Sequence, residues 1–313
     1  MKRNVWLLSV ILGIAGSCVH AQEVRPATVV SAPQDRGSAE LIEKARAGDV
    51  NTQIELALAY KDGMGVEQNN GLAFEWMMKA ALSGDPNAQK FLGFFYMQGV
   101  GVASSMSDAA VWLRKSALQG DHEAQHNYAS MFSLGQGVQR DLAEAFRWYR
   151  LAADGGHAAS QNNLGIAYME GLGTAVNLAE SVRWFTRAAE QGLPEAQHTL
   201  GALYTEGRFV TRDPVKAVFW FRKAASQGDA NSQNNLGVAY LHGEGLPRDI
   251  ASCVYWITLA AQNGDVDAFF NMGILYLDGI GVTADRTRAI SWFEKALAGG
   301  HPRAARVLQD LRK

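Results

Sequence analysis

The tryptophans of this chain recur at a constant interval of 36 residues. Seven of the eight follow this interval: Trp76, Trp112, Trp148, Trp184, Trp220, Trp256 and Trp292. We call residues related by this interval a column, and a second column contains Tyr60, Tyr96, Phe132, Tyr168, Tyr204, Tyr240 and Tyr276. Seven units therefore run from 51 to 302 without an insertion or deletion, which predicts a repeat architecture.

The sequence pattern of each unit predicts two antiparallel helices. In the first, the motif Ala-Gln-x-x-Leu-Gly-x-x-Tyr (88–96) places Ala, Leu and Tyr on one helical face. Gly-x-Gly-Val (99–102) then ends this helix, because glycine adopts positive φ without strain. The second helix contains Ala-x-x-Trp and follows a column of N-cap residues: Asn69, Ser105, Asp141, Asn177, Asp213, Asp249 and Asp285.

A glycine also recurs inside the first helix. Such a glycine costs about 1 kcal/mol relative to alanine. Its recurrence predicts close approach of a neighbouring helix, beneath a Trp or Tyr ring. The column contains Gly93, Gly165, Gly201, Gly237 and Gly273.

One such unit cannot bury both of its faces, so successive units must stack into a continuous apolar core. The predicted fold is an all-α solenoid of seven 36-residue helix-turn-helix repeats over 51–302. Segment 38–50 matches a half-repeat that would cap the N-terminal end. Segment 303–313 begins another first helix with a polar outer side, which predicts a C-terminal cap.

These columns resemble the Sel-one-like repeat, a relative of the tetratricopeptide repeat. The resemblance covers 38–313 and depends on the Ala-Gln-x-x-Leu-Gly-x-x-Tyr and Ala-x-x-Trp-x-x-Lys-Ala-Ala motifs. It implies an α-solenoid that binds other proteins. Because one fold serves many functions, the family alone does not identify the partner.

The N-terminal 21 residues have the pattern of a secretory signal. Lys2 and Arg3 precede an uncharged apolar run over 5–16, and 19–21 (Val-His-Ala) predicts cleavage after Ala21. We therefore expect export to a bacterial periplasm, with 22–37 as a flexible linker. Two alternatives are an uncleaved anchor and a lipid anchor at Cys18. No other segment is apolar enough to predict a membrane span.

The charged residues balance to a net charge of −2 and are mixed along the sequence. This balance argues against a nucleic-acid partner, because no basic stripe is available for a phosphate backbone. It also leaves the charge of a protein partner open. The two cysteines are Cys18 and Cys253, so a chain cleaved after Ala21 could form no internal disulfide.

The sequence His-Glu-Ala-Gln-His at 122–126 formally matches the H-E-x-x-H zinc-protease motif. However, Ala124 and Gln125 are the Ala-Gln of the repeat, and His122 belongs to a column of variable residues at the start of the first helix. We interpret the match as a coincidence of columns. No other catalytic, metal or phosphate-binding pattern survives comparison with the repeat, so we expect no enzyme activity and no cofactor.

Columns that vary between units are available for recognition. On the first helix they form a face opposite the core, which predicts a partner-binding surface. The candidate residues are Lys90, Phe94, Met97, His126, Ser130, Asn162, Ile166, Met169, His198, Thr205, Asn234, Val238, Leu241, Phe270, Ile274 and Leu277. The alternative is that they pack between successive first helices. Arg208 and Phe209 are two further candidates. Phe209 replaces the second glycine of Gly-x-Gly, and its ring would either contact a partner or fold onto the core.

The resemblance implies several roles for an exported member. We place first an immunity protein that neutralises a periplasm-directed secretion-system toxin, such as a phospholipase effector. The alternatives are a periplasmic regulator or adaptor of a signalling or envelope-assembly complex, and a β-lactam hydrolase like the cysteine-rich relatives. Those relatives have regularly spaced cysteine pairs, which this sequence lacks. We expect a monomer.

Overall fold

A computed structural model of the chain describes residues 36–312, which form sixteen α helices and no strand. The first helices of the repeats are α2 (Val50–Asp62), α4 (Pro86–Gln98), α6 (His122–Leu134), α8 (Ala158–Glu170), α10 (Pro194–Glu206), α12 (Ala230–His242) and α14 (Val266–Asp278). The second helices are α3 (Asn70–Leu82), α5 (Met106–Leu118), α7 (Leu142–Asp154), α9 (Leu178–Glu190), α11 (Pro214–Ala225), α13 (Ile250–Gln262) and α15 (Arg286–Ala298). The all-α repeat fold is confirmed.

A further helix lies at each end of the stack: α1 (Arg36–Arg46) and α16 (Ala304–Leu311). Helix α1 begins two residues before the predicted boundary at 38, so the last two residues of the expected linker are helical. The predicted signal segment, its cleavage site, Cys18 and 22–35 of the linker lie outside the described residues. No helix within 36–312 is long and apolar enough to cross a membrane.

The predicted N-caps are confirmed. Oδ1 of Asn69 accepts a hydrogen bond from the backbone N–H of Leu72 at 3.0 Å, and all seven second helices begin in this way. Aspartates cap five of the first helices. At α8 the cap is His157, whose Nδ1 accepts from the N–H of Ser160 at 3.2 Å. These caps satisfy backbone groups that would otherwise lack partners at the helix starts, whereas α10 follows Leu193 and has no side-chain cap.

The glycine inside five of the seven first helices does allow two helices to approach, but the predicted ring above it is wrong. A Cβ on Gly93 would lie 2.8 Å from Cγ of Leu113, the residue that follows the tryptophan. The tryptophan instead packs between repeats: Trp112 lies in one cluster with Met77 of the preceding repeat and Leu92 of its own. The residues that cover the glycines are Leu113, Phe185, Phe221, Ile257 and Phe293.

Repeats are also joined by buried glutamine side chains. Nε2 of Gln161 donates to the carbonyl of Ala153 at the end of the preceding second helix, at 3.1 Å. The same bond recurs at Gln53, Gln89, Gln125, Gln197 and Gln233. Each bond supplies a donor to a helix end, so the column contributes to the fixed angle between repeats.

Successive first helices approach one another more closely than successive second helices do. Helix α12 contacts both α10 and α14, whereas the second helices contact mainly the first helices that flank them in sequence. The first helices therefore lie on the inner side of the stack, and the core lies between them and the second helices.

Candidate protein-binding face

The face predicted to bind a partner lies on this inner side. We call it the inner face and define it by the first-helix columns that contain Lys90, Phe94 and Met97. Six candidate residues are buried: Lys90, Ser130, Asn162, Ile166, Asn234 and Phe270. Ten are half-buried: Phe94, Met97, His126, Met169, His198, Phe209, Val238, Leu241, Ile274 and Leu277. Thr205 and Arg208 are exposed. The burial of these six candidates is therefore explained by packing between first helices, which was the alternative to partner binding.

The Lys90 column links neighbouring first helices. Nζ of Lys90 lies 2.9 Å from a carboxylate oxygen of Asp121 and 2.9 Å from one of Glu123, at the start of α6. In the next repeat Nδ1 of His126 lies 2.9 Å from Oγ of Ser160, in α8. These contacts are partly shielded from water, so they orient the helices in addition to linking them.

At Asn162 the hydrogen bond to the next first helix is missing. Between α12 and α14, Nδ2 of Asn271 donates to Oδ1 of Asn234 at 2.8 Å. Thr199 occupies the place of Asn271 beside α8, and its hydroxyl donates instead to the carbonyl of Glu195 in its own helix. Oδ1 of Asn162 consequently has no hydrogen-bond partner within the described residues, although the side chain is only 6% exposed.

His126 is held neutral at ordinary pH. Burial lowers its pKa to about 4, and the neighbouring His157, whose ring centre is 4.7 Å away, acts in the same direction. The other histidine of the H-E-x-x-H match, His122, packs against Gly155. Among residues 36–312, no group of three or more His, Cys, Asp or Glu side chains has the arrangement of a metal site.

A cavity of about 160 Å³ opens beside Asn162, between α6, α7 and α8. Tyr149 forms part of its wall, and burial raises the pKa of the phenol. Tyr149 stands in the column where other repeats have Leu113, Phe185 or Phe293, so this repeat places a hydroxyl where the others have an apolar side chain. The predicted residues on the wall are His126, Ser130, Asn162 and Ile166.

A larger groove of about 630 Å³ lies across α10 and α12. Six predicted residues line it: Met169, His198, Thr205, Arg208, Asn234 and Val238. Glu206 and Asp267 also line it and are not among the predicted residues. Candidates near the two ends of the stack, such as Phe94 and Ile274, line neither this groove nor the smaller cavity.

Phe209 folds onto the core. Its φ is +67°, the value that glycine adopts in the other repeats, and its ring packs against the cluster of Ile166, Leu200 and Leu203. The guanidinium of Arg208 lies 4.8 Å from the ring centre and remains exposed to the groove. Of this pair, Arg208 is therefore the residue available to a partner.

Charge is segregated between the two helix types, although both signs are mixed along the sequence. Within α2, α4, α6, α8, α10, α12 and α14, the only Lys or Arg residues are Lys61 and Lys90. The same helices contain Glu55, Asp62, Glu123, Glu170, Glu195, Glu206, Asp267 and Asp278. Second helices are richer in cations, and α11 contains Lys216, Arg222 and Lys223 without a carboxylate. The first helices are thus acidic, and three of their carboxylates, Glu195, Glu206 and Asp267, line the smaller cavity or the larger groove.

The model of the Sel1 repeat family matches this chain seven times. The matches cover 51–85, 86–121, 122–157, 158–193, 194–229, 230–265 and 266–301. They follow the 36-residue units inferred from the tryptophan column. A search of curated proteins finds no match.

Solved structures give the same assignment. A protective antigen of uropathogenic Escherichia coli strains that displays an SLR fold is 32% identical, with a TM-score of 0.81 over 87% of this chain. The match spans 58% of that protein's length. A Sel1 repeat protein from Oxalobacter formigenes is 31% identical, with a TM-score of 0.71, over 88% of this chain and 80% of that one. The resemblance inferred from the repeat columns is confirmed, and the chain belongs to the Sel1 repeat family.

Proposed function

We propose that this protein is a non-catalytic scaffold that binds another protein along its inner face. The Sel1 repeat scaffold is suited to protein–protein interaction. The observation that supports this surface most directly is the groove of about 630 Å³ across α10 and α12, lined by six of the residues predicted from column variability. A groove of this size lies within the range of ligand sites, about 300–1,000 Å³, and is large enough to accept side chains of a partner.

The groove has the mixed chemistry of a protein interface. Met169 and Val238 are half-buried and offer apolar contact area, while Asn234 and His198 offer polar atoms beside them. Apolar anchors surrounded by polar groups are typical of interfaces in which a few residues contribute most of the binding free energy. Val238 lies in the middle of α12, and a charge there would face the bound partner.

As the specific role, we propose an immunity protein that binds and neutralises a periplasm-directed toxin in a one-to-one complex. The family resemblance implies this role, and the predicted signal segment would bring the protein to the compartment where such a toxin acts. A continuous inner face running along seven repeats supports it, because inhibition requires a large contact area that excludes the toxin's substrate.

The test uses the product of the neighbouring gene as the candidate toxin. We expect a stoichiometric complex by isothermal titration calorimetry and protection of cells that express the toxin in the periplasm. Val238→Glu should weaken binding at least tenfold, whereas Val215→Glu should not, because Val215 is 65% exposed on the second helix α11. Circular dichroism should show equal helicity in both variants.

Two results would contradict the proposal. Absence of a complex at micromolar concentration, together with absence of protection, would exclude the immunity role for that pair. A complex that is equally tight with Val238→Glu would exclude the inner face as the binding surface.

A further inference from the structure

The first helices contain carboxylates in two rows that flank the three columns of the inner face, one row at each end of the helices. The row at the helix starts contains Glu123, Glu195 and Asp267, each at the second residue of its helix. The row at the helix ends contains Asp62, Glu170, Glu206 and Asp278, each at the last residue. Neither column contains a Lys or Arg in any of the seven repeats.

Helix stability does not explain the second row. A carboxylate at a helix start is favoured by the helix dipole, but one at a helix end is disfavoured by about 0.3–1 kcal/mol. Four of the seven first helices nevertheless end at Asp or Glu. Residues that oppose a local preference concentrate at functional sites.

The cations of the inner face neutralise only part of these rows. Nζ of Lys61 lies 2.8 Å from Asp62, and Lys90 is paired with Asp121 and Glu123. No ion pair within the described residues involves Glu170 or Asp278. Their charge is therefore available to a bound molecule.

The larger groove is bordered by the same rows. Glu206 has Arg208 at 3.8 Å, a loose and exposed pair, and Asp267 faces His301 at 3.4 Å. Burial lowers the pKa of His301, so this histidine is neutral at ordinary pH. Both carboxylates therefore keep most of their attraction for an added cation.

A second and independent observation is the amide of Asn162. It lines the cavity of about 160 Å³, its side chain is 94% buried (6% exposed), and its Oδ1 lacks a hydrogen-bond donor within the described residues. The wall of this cavity contains no Lys or Arg, and its one carboxylate is Glu195. The site thus lacks a donor and has a negative group at its wall.

We propose that the partner segment bound on the inner face is basic. Its Lys or Arg side chains contact the two acidic rows, and one of them enters the small cavity beside Glu195 and donates to Oδ1 of Asn162. A volume of about 160 Å³ is sufficient, since a cavity of about 150 Å³ holds a benzene ring. This inference rests on the proposed function, because it specifies the chemistry of the partner at the same face. Nucleic acids and anionic membranes are repelled by the same rows.

The test uses three fluorescein-labelled dodecapeptides and the full chain. In the first, arginine alternates with leucine; in the second and third, citrulline or glutamate replaces each arginine. By fluorescence anisotropy, we expect the arginine peptide to bind at least tenfold more tightly than either of the others. Binding should weaken when NaCl is raised from about 50 to about 300 mM, because exposed charges are then screened.

Charge-removal variants locate the site. The double variant Glu195→Gln/Glu206→Gln should weaken arginine-peptide binding at least tenfold. The matched double variant Asp154→Asn/Glu190→Gln removes the same charge from second helices and should change binding less than twofold. Asn162→Leu should weaken binding at least fivefold while helicity and melting temperature stay within the range of the control.

Several outcomes would overturn the inference. They are equal binding of the glutamate peptide, equal effects of the two double variants, and tighter binding of duplex DNA or phosphatidylglycerol vesicles than of the arginine peptide. Failure here is distinguishable from failure of the proposed function. A toxin complex that is weakened by Val238→Glu but unchanged by Glu195→Gln/Glu206→Gln keeps the protein-binding function and excludes the basic segment.

Discussion

Phe185 lies directly over Gly165, so that a Cβ atom on Gly165 would be 2.8 Å from Cδ1 of Phe185. Gly165 is in the middle of α8, and Phe185 is fully buried on α9 of the same repeat. In the last repeat, a Cβ on Gly273 would lie 2.6 Å from Cε1 of Phe293. Close packing of the two helices of a repeat therefore offsets the helix-forming cost of an internal glycine.

Gly165→Ala should lower the free energy of unfolding by about 1–3 kcal/mol, because the added methyl group overpacks the site beneath Phe185. The effect opposes the better helix propensity of alanine. Urea denaturation followed by far-ultraviolet circular dichroism measures it. Gly71→Ala is the control, since its nearest heavy atom is Oδ1 of Asn69 at 3.3 Å, and it should leave stability unchanged or slightly higher. Parent-like stability of Gly165→Ala would contradict the close approach.

Gln161 joins three helices through two hydrogen bonds. Its Oε1 accepts from Nε2 of Gln191 at 2.6 Å, and its Nε2 donates to the carbonyl of Ala153 at 3.1 Å. Gln161→Leu removes both bonds. The carbonyl of Ala153 still accepts from the N–H of Gly156 at 3.0 Å, and Gln191 is exposed, so the loss should be about 0.5–1.5 kcal/mol in unfolding free energy. Gln98→Leu, at an exposed helix end, should cost less than about 0.5 kcal/mol. Equal unfolding midpoints for Gln161→Leu and Gln98→Leu would show that the hydrogen bonds of Gln161 contribute nothing to stability.

The repeat period predicts most of the fold because caps and helix ends depend on local sequence. Asn69 and Gly63, for example, act through backbone groups a few residues away. The period identifies which positions recur but not which side chain covers Gly93. Trp112 and Leu113 are adjacent, apolar and equally periodic, and only packing between repeats distinguishes them.

Column variability placed Met169, His198 and Val238 among the candidates, and all three line the groove. It also included Phe270, whose ring is buried and stacks on His301 with ring centres 4.0 Å apart, because a first helix has neighbours on both sides. The acidic rows were missed because net charge was considered for the whole chain. Sorting Glu195 and Glu206 by helix type would have shown them.

Phe209 offers a test of backbone strain. Its φ of +67° disfavours any residue with a Cβ by about 1–2 kcal/mol. Phe209→Ala and Phe209→Gly both lose the ring, so the difference in stability between them reports the backbone strain. The glycine variant should be more stable by about 1 kcal/mol. The same pair of substitutions at Arg183, exposed in the middle of α9, should give the opposite order. If alanine were the more stable substitute at 209 as well, the strained conformation would be wrong. Thermal and urea unfolding check both pairs.

The stability of the protein should fall in mild acid because of His126. Its pKa is lowered from 6.5 to about 4 in the folded state, so the unfolded chain binds a proton that the folded one does not. The contribution is complete above about pH 6.5 and is lost as the pH falls toward 4. Burial also lowers the pKa of His157 and His198, which adds to this loss. Asp265 opposes it, because burial raises its pKa to about 6.

The comparison must therefore be between a variant and the parent. His126→Asn introduces the residue that this column has at 162 and 234. Between about pH 7 and about pH 5, the parent should lose about 2 kcal/mol more unfolding free energy than His126→Asn does. Urea denaturation at several pH values gives this difference, and an NMR titration of the His126 ring gives its pKa directly. Parallel stability curves, or a ring that titrates near pH 6.5 in the folded protein, would show that the histidine is not buried as the structure places it.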